Sequence, residues 1–396
     1  MLSASPSPDV VVIGAGIVGA ACSYYLARAG MRVQVVERGF PCSGASGACE
    51  GNLVLWDKAP GAELALGKLA FECWDEVQRT LDFDFEFDRK GSIMVCANER
   101  DLEEARRTVA WLSGEGVRCR LLTPEELFEE EPALARDLPG GALFPDDAQV
   151  EPRLATVALL EAARRLGATL ETEVEAQGLA CSPDGRVQAL RTSRGAIPTG
   201  AVVIAAGAWS SEVGRRFGVE IPIRARKGHL IVGEKSPGFI RRKLVETGYG
   251  DTVESSDAGL QVAMVAEIAK SGTVLIGSSR QITGYDTRVD PFVIQAIARR
   301  AARFLPALRQ MKAVRSYAGL RPFSPDHLPL IGPVGPEGLF VASGHEGAGI
   351  CESTATGLLI SQWITGQPLA LPGEWFDPRR FARGPGAELR VPGPAS

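Results

Sequence analysis

At 396 residues the chain exceeds one ordinary domain, so two are expected, and 45% hydrophobic residues suffice for a large core. The formal charge of −5, from 43 basic and 48 acidic residues spread along the chain, excludes the basic footprint of a nucleic-acid binder. A small-molecule partner is expected instead. The segment Met1 to Pro8 is rich in Ser and Pro and lacks the basic and apolar regions of a signal peptide. It reads as a short disordered leader, and no apolar run reaches transmembrane length. The eight cysteines form no C-x-x-C pair, which suits reduced thiols in a cytoplasmic protein. Cys42 and Cys49 match no zinc spacing, and no metal site is expected.

The first predicted unit runs from Asp9 to Glu37. Val10 to Ile13 reads as a strand, Gly14-Ala15-Gly16-Ile17-Val18-Gly19 as a turn opening a helix that ends at Gly30, and Arg32 to Glu37 as a second strand ending in an acid. In that context Gly14 permits the tight turn, Gly16 lets backbone amides approach phosphates, and Gly19 lets helix and strand pack closely. The helix N-terminus offers its positive end to a pyrophosphate. Glu37 lies 18 residues beyond Gly19, where a carboxylate accepts both ribose hydroxyls, so a dinucleotide without a 2′-phosphate is expected.

A Gly/Ser loop from Ser43 to Gly51 follows, and then a helix from Glu63 to Leu81. Phe83-Asp84-Phe85-Glu86-Phe87-Asp88 alternates strictly and predicts a strand whose acids, with Asp82, form a solvated face rather than a metal site. A strand at Gly91 to Ala97 and a charged helix at Glu99 to Gly114 come next, and Thr123-Pro124 starts a short helix. Pro152 to Leu166 predicts a helix, Thr169 to Val174 a strand, Ser182 to Gly185 a hairpin turn, and Ala201 to Gly207 a strand buried on both faces. Between residues 219 and 316, strands at Lys227 to Gly233, Val245 to Thr247, Gly259 to Ala266 and Thr273 to Gly277 predict an antiparallel substrate-covering sheet. An amphipathic helix at Pro291 to Phe304 interrupts it. The expected division is a dinucleotide-binding domain from 8–84, 145–218 and 318–372, a substrate domain from 85–144 and 219–317, and a loose tail at 384–396.

Two further blocks exceed what a nicotinamide dehydrogenase needs. Val203 to Trp209 ends a buried strand in small residues that let backbone pass close to a dinucleotide. The second holds Gly319-Leu320-Arg321-Pro322, then Ser324 to Gly332, a strand, and Gly344-His345-Glu346-Gly347-Ala348-Gly349-Ile350 opening a last helix to Trp363. That helix points a second positive end toward the site.

In order and spacing these blocks resemble the flavin-dependent amine oxidases of the D-amino-acid oxidase, glycine oxidase and sarcosine oxidase group, from Asp9 to Gln367. The likeness is marked to dehydrogenases of cis-4-hydroxy-D-proline and to the flavin subunits of opine oxidase and hydrogen cyanide synthase. It implies an α/β fold, with a Rossmann-type FAD-binding domain discontinuous in sequence and an antiparallel-sheet substrate domain. No covalent attachment site is recognisable, so noncovalent FAD is implied. Gly14, Gly16 and Gly19 would cradle its pyrophosphate, and Glu37 with Arg38 would hold the adenosine ribose. Ser43, Gly44, Ala45 and Ser46 match the turn that approaches the pyrophosphate and ribityl chain, Val174 the residue whose backbone meets adenine, and Gly207 the end of the buried strand. Gly347, Gly349 and Ile350 would present amides to the pyrimidine end of the flavin.

Arg321 matches the arginine that grips the substrate carboxylate, with His345, Tyr249 and His229 as further candidate catalytic residues. Tyr249 is a candidate hydroxyl donor to the carboxylate, and His229 lies on a strand expected to border the site. At one place the chain departs from glycine oxidases, which tend to carry Gly-His-x-Arg-Asn-Gly. Here Glu346-Gly347 follow His345, and a less cationic substrate mouth is expected. The implied reaction is oxidation of an α-amino or cyclic imino acid to its imine, with oxygen, a quinone or a partner subunit as electron acceptor. The competing readings are a flavin relay subunit of a multi-subunit enzyme, a D-amino acid or glycine oxidase, and a nicotinamide enzyme of the same opening fold. A homo- or hetero-oligomer and peripheral contact with a membrane remain open.

Overall fold

A computed structural model describes residues 7–249 and 259–381, so most of the expected leader and the tail at 384–396 lie outside the described residues. Two sheets carry the architecture. The first has six strands in the order Leu330–Pro333, Leu339–Ser343, Ala201–Ile204, Val10–Ile13, Val33–Glu37 and Thr169–Thr172. Val10–Ile13 pairs in parallel on both sides, and every residue of it and of Ala201–Ile204 is buried. A continuous run of branched apolar residues suits a strand covered on both faces. Helix Ile17–Arg28 crosses the last helix, Gly349–Thr365, at Gly357, where a Cβ would come within 2.6 Å of the Ala21 carbonyl. A glycine at this crossing brings the two helices into backbone contact.

The second sheet has eight strands in the order Ala313–Phe323, Arg224–Lys235, Thr273–Arg280, Gln261–Ile268, Lys243–Glu246, Ser92–Cys96, Gly140–Phe144 and Arg120–Leu122. The strands of the middle segment pair antiparallel with one another as expected, and one parallel pairing, Lys243–Glu246 with Ser92–Cys96, joins them to the early strands and makes the whole sheet mixed. The parallel step arises where the early strands meet those of the middle segment, a junction that no hairpin makes. Helix Pro291–Phe304 falls where its periodicity placed it, opened by Asp290, which accepts a hydrogen bond from the Phe292 amide at 2.9 Å.

Residues 83–88 are not a strand. Glu86 takes a left-handed φ of 58° and its amide donates to the Asp84 side chain at 2.8 Å, while only Asp88 bridges to Gln149. Phe85 is nonetheless 2% exposed, so the alternation reported which residues are buried, not an extended backbone. All eight cysteines are free thiols, and among the described residues no helix is long and apolar enough to cross a membrane.

Candidate active site

The opening turn is built by contacts that exclude side chains. Gly14 has φ 110°, and a Cβ on it would sit 2.5 Å from the Ala205 carbonyl oxygen; one on Gly19 would overlap the Gly14 carbonyl. Ser46 reaches across from the Gly/Ser loop, its Oγ accepting from the Ile17 amide at 2.9 Å. Glu37 Oε2 accepts from the Ala15 amide at 2.9 Å and Oε1 from the Gly39 amide at 2.8 Å. The carboxylate therefore fixes the turn from the end of the neighbouring strand. Arg38 lies over the Trp209 ring at 4.3 Å, and that ring stacks on Tyr285 at 5.7 Å.

One cavity runs from Glu37, Arg38, Ser43 and Val174, past Gly14, Gly16, Gly44, Ala45 and Ser46, to Gly207, Arg321, Tyr249, His345, Gly347, Gly349 and Ile350. Gly19 lies outside its lining and packs against Gly14 instead, its role being close approach within the turn. The last helix has no side-chain cap at its start, so its first amides are left to a ligand. His345 beside them is buried, its Nε2 lying 2.8 Å from Thr356 Oγ1, while Nδ1 meets no partner among the described residues. Burial pushes its pKa down to about 3, so the imidazole is neutral. A glycine-floored channel with an acid at one end and uncapped amides at the other fits an extended dinucleotide.

At the far end Arg321 pairs across strands with Arg226, and its guanidinium lies over Gly228, where a Cβ would come within 2.6 Å of Cζ. Its Nη1 donates to the Ser279 carbonyl at 2.9 Å. No carboxylate of the described residues lies within ion-pair distance of it, and burial, with Arg280 nearby, lowers its pKa. Glu346, at 8% exposure and φ 46°, is held by Arg226 at 2.5 Å, by Arg280 at 3.7 Å and by His327 at 3.4 Å. Burial acts to raise the Glu346 carboxyl, but the His327 hydrogen bond and the Arg280, Arg226 and Arg321 charges outweigh it and hold it below its usual range. The expected loss of positive charge at the mouth is therefore corrected: Glu346 is countered by two arginines, and Arg321 adds a third cation.

Tyr249 lines the cavity beneath Arg280, whose guanidinium is 4.4 Å from its ring centre, and meets Trp56 edge-on. His229 does not line the cavity. It is fully buried, its Nδ1 lies 3.0 Å from Ser279 Oγ, and its Nε2 accepts from the Asp290 amide at 3.3 Å. That fills both ring nitrogens and makes it a tie between strand and helix, which corrects its place among the catalytic candidates.

Sequence reasoning missed Arg226, Arg280, Gly228 and Glu50. The signal for the first was present as two cations and a glycine inside a strand that is otherwise buried, Arg224–Lys235. A charge in such a strand must face a partner or a ligand.

Residues 9–363 match the family model described as DAO, FAD dependent oxidoreductase. Glycine oxidase of Geobacillus kaustophilus is 32% identical over 366 residues, covering 90% of this chain and 92% of that protein. Hydrogen cyanide synthase subunit HcnC of Pseudomonas aeruginosa is 29% identical, covering 96% and 97%. The crystal structure of the Geobacillus glycine oxidase superposes with a TM-score of 0.84 at 28% identity, over 93% of this chain and 98% of that one. That of L-proline dehydrogenase from P. horikoshii superposes with a TM-score of 0.86 at 26% identity, over 96% and 99%. The chain belongs to the DAO family of FAD-dependent oxidoreductases.

Proposed function

We propose that this enzyme oxidises an α-amino or cyclic imino acid at its Cα–N bond to the imine. The observation that carries the reading is Arg321, a guanidinium without an ion-pair partner among the described residues, in the same cavity as the cofactor cradle. Its planar fork would take the substrate carboxylate through two hydrogen bonds and so fix the direction of the Cα–H. FAD, when bound, supplies the acceptor for the hydride. Gly347, Gly349 and the start of the last helix would hold the flavin's pyrimidine end, and the helix dipole favours negative charge there. Neutral His345 keeps a positive charge out of the helix start while anchoring it to Thr356. The arginines at the mouth favour loss of a proton from the bound substrate ammonium, which leaves the neutral amine that the oxidation requires.

The finer reading is a dehydrogenase for a cyclic imino acid of the cis-4-hydroxy-D-proline type. The likeness to an L-proline dehydrogenase structure supports a ring-bearing substrate, and a ring loses less freedom on binding than an open chain. A second reading, a flavin subunit that passes electrons to partner chains, is favoured by the near-full-length similarity to HcnC. Anaerobic titration with D- and L-amino acids, hydroxyprolines and opines tests the proposal through bleaching of the flavin's visible band. Reduction by a hydroxyproline ahead of glycine, D-alanine and opines is expected. Absence of bleaching by every amino and imino acid overturns the reading. Gel filtration of the chain expressed alone, with a dye-linked assay, separates the two readings.

A further inference from the structure

At its substrate end the cavity carries a charged group besides Arg321 and Glu346. Glu50 follows the Ser43 to Gly47 turn and is 7% exposed, yet it lines the same cavity as Arg321. Its position is set on both sides. Gly319, two residues before Arg321 on the same strand, lets the Ala48 backbone approach so closely that a Cβ would sit 2.8 Å from the Ala48 oxygen. Gly51 donates no side chain where its backbone meets Val150, whose amide binds the Gly51 carbonyl at 2.9 Å. Gly277 then leaves room for the carboxyl itself, since a Cβ there would lie 2.5 Å from Glu50 Oε1. Three glycines thus clear the way for one acid.

Glu50 Oε1 is buried and accepts no hydrogen bond from any described residue. Its charged surroundings are Lys243 and Glu267, Arg280, and Arg321, with Tyr317 and Cys49 also within its field. Lys243 is the obvious partner, but its ammonium is 3.2 Å from Glu267 and bonded to Asn52 Oδ1. A buried carboxyl oxygen left without a donor is costly unless a ligand supplies one. Burial also raises the basicity of the carboxylate, although Lys243, Arg321 and Arg280 act against it.

We propose that Glu50 receives the ammonium of the substrate whose carboxylate Arg321 binds, and takes one proton from it. The site then admits α-amino and imino acids as zwitterions, the form that prevails in neutral water. In the step an N–H bond breaks, its electron pair stays on nitrogen as the lone pair that later forms the imine, and an O–H bond forms on Glu50. After product leaves, the carboxyl returns its proton to solvent. The inference rests on the proposed amino acid oxidation.

Two measurements test it. The first uses the holoenzyme and a pair of isosteric ligands that lack a Cα–H and so cannot be oxidised: 2-aminoisobutyrate, which has the ammonium, and pivalate, which does not. Wild type should bind 2-aminoisobutyrate about ten- to a hundredfold tighter than pivalate near neutral pH, the effect of a charged hydrogen bond. In Glu50→Gln, with FAD content unchanged, the preference should vanish. The second is the pH profile of kcat/KM with the substrate found by flavin bleaching. Glu50→Gln should lose about a hundredfold or more near neutral pH and regain about tenfold per pH unit as the free amine accumulates, while wild type stays flat there. Equal binding of the two ligands by wild type, or parallel profiles for wild type and variant, overturns the assignment. If amino acids bleach the flavin but the ligand pair shows no preference, Glu50 fails and the proposed function stands. If neither ligand binds and no amino acid bleaches the flavin, both fall together.

Discussion

The guanidinium of Arg321 rests on the backbone of Gly228, across the pairing of strands Ala313–Phe323 and Arg224–Lys235. The smallest residue on one strand is the seat of the largest cation on the other. Gly228→Ala would place a methyl within 2.6 Å of Cζ and push the guanidinium aside. The expected result is a fall in kcat/KM of about two orders of magnitude, the scale of a displacement of roughly 1 Å in a positioning group, with FAD content intact. Stopped-flow flavin reduction measures it, and an unchanged rate would remove Gly228 from the seat.

Arg321→Lys keeps the charge and loses the planar fork. The expected loss in kcat/KM is about a hundredfold or more, roughly 3 kcal/mol, with most of it in substrate affinity and orientation. Steady-state kinetics with a dye acceptor read it. Near-normal turnover would mean that the substrate carboxylate binds elsewhere.

Gly14→Ala adds a Cβ 2.5 Å from the Ala205 oxygen at a residue whose φ is 110°. Strain of about 1–3 kcal/mol in the cradle should weaken FAD by roughly tenfold or more, seen as a lower ratio of visible to ultraviolet absorbance after purification. Acid precipitation of the wild type should leave the yellow chromophore in the supernatant, as noncovalent binding requires.

Glu346→Gln leaves Arg226, whose side chain is 1% exposed, facing an amide in place of a carboxylate. Breaking a buried pair from one side costs about 3–5 kcal/mol, so denaturant unfolding should shift by that amount. A change below about 1 kcal/mol would show that Glu346 is not the counter-charge of this arginine cluster.

His345 gives a pH dependence with a definite sign. Its folded pKa is lowered to about 3, whereas the unfolded chain takes up this proton near the usual value of about 6.5. The neutral buried ring therefore contributes stability above the unfolded value that is lost as pH falls, by about 1.4 kcal/mol per pH unit until the folded value is reached. His345→Gln lacks this titration. The stability difference between wild type and variant, measured by denaturant at several pH values with FAD saturating, should shift against wild type on acidification. A difference independent of pH would contradict a buried neutral imidazole.

Much of the fold was legible because local signals agreed with the global arrangement. The glycine spacing, the acid at Glu37 and the unbroken run Val10–Ile13 each favour the same strand, turn and helix. Pro291–Phe304 has a cap, a proline at its first turn and a clear apolar face, so its bounds could be read directly. Residues 83–88 misled because alternation is shared by a strand and by a turn that buries one ring and exposes its neighbours. The lining of the substrate end was less legible for another reason. Arg226, Arg280 and Glu50 stand on three separate segments, and pairing of distant strands together with the glycines that admit the Glu50 loop brings them together. Glu346 could be seen as a departure from the glycine oxidase pattern, but its counter-charges could not.

The Glu346 amide donates to the Pro322 carbonyl at 3.0 Å, and Phe323 bridges to His345, so the strand that carries Arg321 is fastened to the loop that starts the last helix. The proposed seat for a carboxylate and the proposed seat for the flavin are thereby joined through backbone. If ordering this junction for one ligand favours the other, thermodynamic reciprocity makes the two effects on affinity equal. An enzyme emptied of its cofactor would then hold carboxylates more weakly, and a bound carboxylate would raise the affinity for the cofactor by the same factor.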